Sequence, residues 1–156
     1  MITVNDVVEH AKTIANGEHE VVKPGMELQI SEACSVGEAV WQGDLGIGIT
    51  SGGVPKGYKK IDANQLDNLC LVPKVEGQDS IGSKHCLESA KGVEIWIPEK
   101  WDAESLDGPY LKLQNGAKIV HPKHGDVAIP SCFNEIQIFY QREWDEELKR
   151  ERRAKD

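Results

Sequence analysis

The chain opens with an apolar stripe. Val4, Val7, Val8, Ala11, Ile14 and Ala15 recur at helical spacing. Thr3 can cap this run, with Asp6 three residues on, and Gly17 stands where a helix is commonly stopped. The spacing predicts a helix over 4–16. After it the period shortens. Strands are predicted over 20–23 and 26–30, around the turn pair Pro24-Gly25. Further strand candidates are 39–42, 45–50, 66–73, 93–98, 110–113, 118–120 and 126–130. The clearest alternation is at 134–141, with Ile136, Ile138 and Tyr140 on one face and Gln137, Phe139 and Gln141 on the other.

Short strands separated by Gly, Pro, Asn and Asp point to an antiparallel sandwich or barrel. The 15 glycines and 7 prolines agree, and a doubly wound fold would need repeated crossover helices that the pattern lacks. The fold class expected is therefore mainly β, with an N-terminal helix and a short charged C-terminal helix. In the tail, Trp144 and Leu148 lie four apart, enough to dock one helical turn. The expected organisation is one domain over 1–156: the helix at 4–16, a β-rich body at 20–142 and a charged helical tail at 143–156. Segments 43–60 and 74–92 are polar and glycine-containing, and read as the long loops.

Composition narrows the classes. The 156 residues are 39% hydrophobic and 28% charged, ordinary for a globular domain that holds its core without staples. No apolar run is long enough for a membrane-spanning helix, and the start lacks a basic region followed by an apolar one. Lys plus Arg total 18 against 26 Asp plus Glu, a net charge of −8 that repels nucleic-acid backbone at long range. Nucleic acid is thus disfavoured, and a small molecule or a protein is the partner expected. Cys34, Cys70, Cys86 and Cys132 show no C-x-x-C spacing, which reads as buried free thiols in a reducing cytosol.

Three features carry chemistry. In His121-Pro122-Lys123-His124-Gly125-Asp126, proline suits the second position of a turn and glycine the left-handed position after it. Both imidazoles can then converge on one metal or one substrate, with Asp126 orienting a ring. The simpler reading is a hairpin tip with solvated histidines. In Gly82-Ser83-Lys84-His85-Cys86-Leu87-Glu88, His85 can join His121 and His124 as a third ligand or a general base, with Glu88 in support. Such a set could hold zinc or another divalent metal with an open position. Cys86 is a weaker candidate nucleophile, because an unperturbed thiol is mostly protonated. In Gln141-Arg142-Glu143, Arg142 can bind an anionic ligand or form a structural ion pair. The glycine-rich stretch 43–53 lacks the phosphate-loop signature and reads as a bent strand and a turn. Trp101 sits in a polar stretch and is expected to be partly exposed, in reach of a partner.

These segments, with Leu106-Asp107-Gly108-Pro109 and Pro130, resemble a family of small bacterial and phage proteins. Its members share a G-S-x-H-C-L-E-like segment, an H-P-x-H-G-D hairpin and a closing Q-R-E. The resemblance spans roughly residues 36–153 and leaves out the first helix. That family has no assigned activity. The resemblance therefore implies a self-contained β-rich domain and a phage or mobile-element setting, and no mechanism. Two functions are in view: a His-centred ligand, metal or hydrolytic site, and a non-catalytic structural or inhibitory module. A cytoplasmic location is expected for either.

Overall fold

Two β-sheets face each other across one apolar core. The computed structural model describes residues 27–73, 85–145 and 150–153. The helix expected over 4–16 and the strand over 20–23 lie outside them, as do Ser83 and Lys84.

The larger sheet contains β2 (Ala39–Gln42), β3 (Leu45–Ile49), β4 (Tyr58–Ile61), β6 (Val93–Pro98), β7 (Asp107–Leu113) and β10 (Glu135–Tyr140). Their spatial order is β2-β3-β10-β7-β6-β4, and every pairing is antiparallel. The smaller sheet contains β1 (Glu27–Gln29), β5 (Cys86–Leu87), β8 (Ala117–Val120) and β9 (Asp126–Ile129), in the order β1-β9-β8-β5. Only the β1–β9 pair is parallel among the described strands.

The alternation read from the sequence sets the register. Ile136, Ile138 and Tyr140 of β10 pair with Ile49, Ile47 and Leu45 of β3, and all six side chains enter the core. Leu87, Ile119, Val127 and Ile129 meet them from the smaller sheet. Each such Leu or Ile removed from water contributes roughly 1.5–3 kcal/mol. The other face of the larger sheet is covered as well. Gly46 lies under the Phe139 ring, and a Cβ added there would overlap it. Trp41 packs edge-on against that ring, with centroids 5.2 Å apart. Close packing on both faces explains why β3 reads Leu-Gly-Ile-Gly-Ile instead of alternating apolar with polar.

Three expectations are corrected. The apolar run 66–73 is not a strand. Asp62 and Gln65 form a capping box, and two short 3₁₀ turns follow at Ala63–Gln65 and Asp67–Leu69. Asn68 and Leu69 take positive φ, and only Cys70 reaches a β-bridge, with Cys86. Inside the expected loop 43–60, Tyr58–Ile61 forms edge strand β4 on β6. The tail is not helical: β11 (Arg142–Asp145) and β12 (Arg150–Arg153) form an antiparallel hairpin. Its register runs from the pair 142 and 153 to the pair 145 and 150.

Candidate functional site

The site forms where three chain segments meet. The first is the two-residue connection Gly43-Asp44 between β2 and β3, whose ends Gln42 and Leu45 pair. Gly43 takes φ +59°, and Asp44 is not at positive φ, the pattern of a turn with glycine first. The second is His85, directly before β5. The third is the turn 121–125 between β8 and β9, closed by the Gly125 N–H donating to the His121 carbonyl at 3.1 Å. Gly125 takes φ +78°, as expected for the glycine of that turn.

The three imidazoles come together. Ring centroids lie 4.3 Å apart for His85 and His121, 4.4 Å for His121 and His124, and 5.9 Å for His85 and His124. The last pair is stacked, with 7° between the planes. His85 is 3% exposed, His121 8%, and His124 is half-buried.

Gln42, fully buried, fixes the first ring. Its Nε2 donates to the carbonyls of Ile119 at 2.9 Å and Gly125 at 2.7 Å. Those acceptors settle the orientation of the amide, because its oxygen in that place would face two oxygens. The Gln42 Oε1 therefore faces His85 Nδ1 at 2.9 Å as an acceptor, and Nδ1 must donate. His85 Nε2 lies 3.1 Å from Asp44 Oδ1, so both ring nitrogens face protein groups inside a hydrogen-bonded frame.

In His121 the role of Nδ1 is reversed. Its Nδ1 accepts the backbone N–H of Lys123 at 3.0 Å and of His124 at 3.1 Å. Burial pushes its pKa down to about 4, with the nearby His85 and His124 rings adding to the effect. At neutral pH the ring is uncharged, and its one proton is on Nε2. His121 Nε2 and the His124 ring nitrogens have no protein hydrogen-bond partner among the described residues. Gly43 gives the His124 ring its place: a Cβ there would lie 2.5 Å from its Cδ2.

The other expected residues sit elsewhere. Asp126 on β9 pairs in register with Glu27 and adds its charge to those around Lys118; Asp44 takes the ring-orienting role expected of it. Glu88 is 3.7 Å from the Lys118 ammonium. Arg142 pairs with Asp107 at 3.4 Å, where burial raises the carboxyl pKa and the guanidinium opposes it. Gln141 donates its N–H to the Asp44 carbonyl at 3.0 Å, so this strand end abuts the hairpin tip. Trp101 donates from Nε1 to the Tyr140 hydroxyl at 3.0 Å and packs against the core. Cys86 is half-buried, and the expected Ser83 and Lys84 beside it are not described.

The expected metal set of His85, His121 and His124 is not presented as ligands. Both nitrogens of His85 and Nδ1 of His121 are taken by protein groups. Among the described residues, no group of three or more His, Cys, Asp or Glu is arranged to hold a metal ion. Sequence reading missed Gln42, Gly43 and Asp44. The two-residue Gly-Asp connection between apolar runs was the available signal.

Comparisons with protein families, with curated proteins and with solved structures find no match to this chain. No helix among the described residues is long and apolar enough to cross a membrane.

Proposed function

We propose that the protein binds an oxygen-rich small molecule at the His121–His124 face and does acid–base chemistry on a hydrolysable bond there, that of a phosphodiester or a carboxylic ester. The observation that carries this reading is the pair of backbone N–H groups donating to His121 Nδ1. Burial keeps the ring neutral, and these donors fix its remaining proton on Nε2. A neutral imidazole held in this way donates to an oxygen that gains negative charge as the bond breaks. His124, 4.4 Å away by ring centroids, takes a proton from water and returns it to the leaving group. His85, Gln42 and Asp44 position the other two rings and do not touch the ligand. No resident metal is required. The phage or mobile-element setting rests on the segment resemblance alone.

A second reading, the non-catalytic partner-binding module, has one observation in its favour. His85 uses both nitrogens on Gln42 and Asp44, so part of the assembly serves to tie the two sheets together.

The test uses bis(4-nitrophenyl) phosphate and 4-nitrophenyl acetate as probes. Expected is release of nitrophenolate from at least one, lost in His124→Gln with the melting temperature unchanged. No turnover of either probe above buffer, with His121 and His124 ring signals unmoved by millimolar probe, would overturn the acid–base reading in favour of the binding module.

A further inference from the structure

Cys70 and Cys86 face each other across the only isolated β-bridge among the described residues, an antiparallel one. The Leu71 N–H donates to the His85 carbonyl at 2.8 Å. That bond joins the residue after Cys70 to the residue before Cys86, which makes the cysteines a pair without hydrogen bonds between themselves. In antiparallel ladders this is the closer kind of pair, with Cα atoms about 4.5 Å apart and side chains on the same side. Disulfides span Cα separations of roughly 4.4–6.8 Å. The two side chains already interact with each other. Cys70 is buried and Cys86 half-buried.

We propose that Cys70 and Cys86 are a reversible redox pair, oxidised to an intramolecular disulfide by low-molecular-weight disulfides such as glutathione disulfide. The inference is independent of the acid–base reading. The Cys86 thiolate attacks one sulfur of glutathione disulfide, forms a mixed disulfide and expels one glutathione thiolate. Cys70 then loses its proton, attacks Cys86 Sγ and expels the second. Two protein thiols are oxidised, one glutathione disulfide is reduced to two glutathione molecules, and the two protons end on these. Cys86 is the attacking group because Cys70, whose pKa burial pushes up to about 12, supplies almost no thiolate while it is covered. The bond would fasten β5, and His85 just before it, to the segment after the second 3₁₀ turn. Cys34 and Cys132 share no β-bridge, and Cys132 is exposed.

The experiment equilibrates the full chain in glutathione buffers of rising oxidation. Acid-quenched samples are alkylated and digested, and cross-linked peptides are read by mass spectrometry. Expected is a linked peptide containing Cys70 and Cys86, removed by dithiothreitol and retained in a Cys34→Ser/Cys132→Ser double variant. The oxidised form should melt about 5–10 °C higher, as closing a loop of this length implies. Cys86→Ser should abolish the linked peptide and the shift. Glutathione adducts on Cys86 without the internal bond, or a bond joining Cys34 to Cys132 instead, would overturn the proposal. So would four freely alkylated thiols in the most oxidising buffer.

Discussion

Nδ1 of His85 donates to Oε1 of Gln42 across 2.9 Å, and the same amide's nitrogen spans the carbonyls of Ile119 and Gly125. One buried amide on the edge strand of the larger sheet thus meets both the smaller sheet and the histidine turn. Replacing Gln42 with Ala removes the one side chain that bonds the carbonyls of Ile119 and Gly125 and Nδ1 of His85 together. The expected loss is about 2–4 kcal/mol of folding stability, readable as a lower urea midpoint. Any turnover at the His121–His124 face should fall with it, because the His85 ring loses its anchor.

Acidification should weaken the fold through His121. Its folded pKa, about 4, lies below the ordinary 6.5. Between those values the unfolded chain binds the extra proton and the folded one does not, so stability rises with pH. The penalty is absent above about pH 6.5 and grows as pH falls toward 4, reaching roughly 1–3 kcal/mol. His121→Asn keeps an acceptor near Nδ1 and removes the titration. Urea denaturation between pH 4 and 7 should show a shallower slope for that variant than for the natural chain.

Gly43 supports the site at the hairpin tip. Its φ of +59° disfavours a side chain, and a Cβ would press on the His124 ring. Gly43→Ala should cost about 1–3 kcal/mol. It should also shift the His124 ring signals in NMR spectra, while the core methyl signals around Ile47 and Ile138 stay in place.

Gly46 does the equivalent work on the far face. Gly46→Ala would drive a methyl group into the Phe139 ring. The expected destabilisation is about 1–3 kcal/mol. Phe139→Leu makes room, so the double variant should be more stable than the two single losses summed, a coupling measurable by a double-mutant cycle.

What the chain disclosed on its own was the local part. The strand at 134–141 is readable because Ile136, Ile138 and Tyr140 recur at every second position, and the 121–125 turn because Pro122 and Gly125 have strong backbone preferences. Gln42 was not readable as a site residue, since its two carbonyl partners lie 77 and 83 residues away and no spacing rule links them. Asp44 was hidden inside a glycine-rich stretch that suggested only a bend. Asp126 stood next to the histidines in sequence, yet strand β9 carries it into the charges around Lys118. The run 66–73 looked like a strand because Leu66, Leu71 and Val72 are core residues, and they enter the core from turns. In the tail, the four-residue spacing of Trp144 and Leu148 suggests a helix, while a ladder that pairs 142 with 153 leaves no mark in a helical period.

The opposite roles of Nδ1 in His85 and His121 can be observed directly by long-range ¹H–¹⁵N correlation of the imidazole nitrogens at pH 7. Expected are a protonated Nδ1 on His85, and on His121 a protonated Nε2 with an unprotonated, hydrogen-bonded Nδ1. A His121 ring protonated on Nδ1, or a His85 ring with a bare Nδ1, would contradict the arrangement on which the site is built.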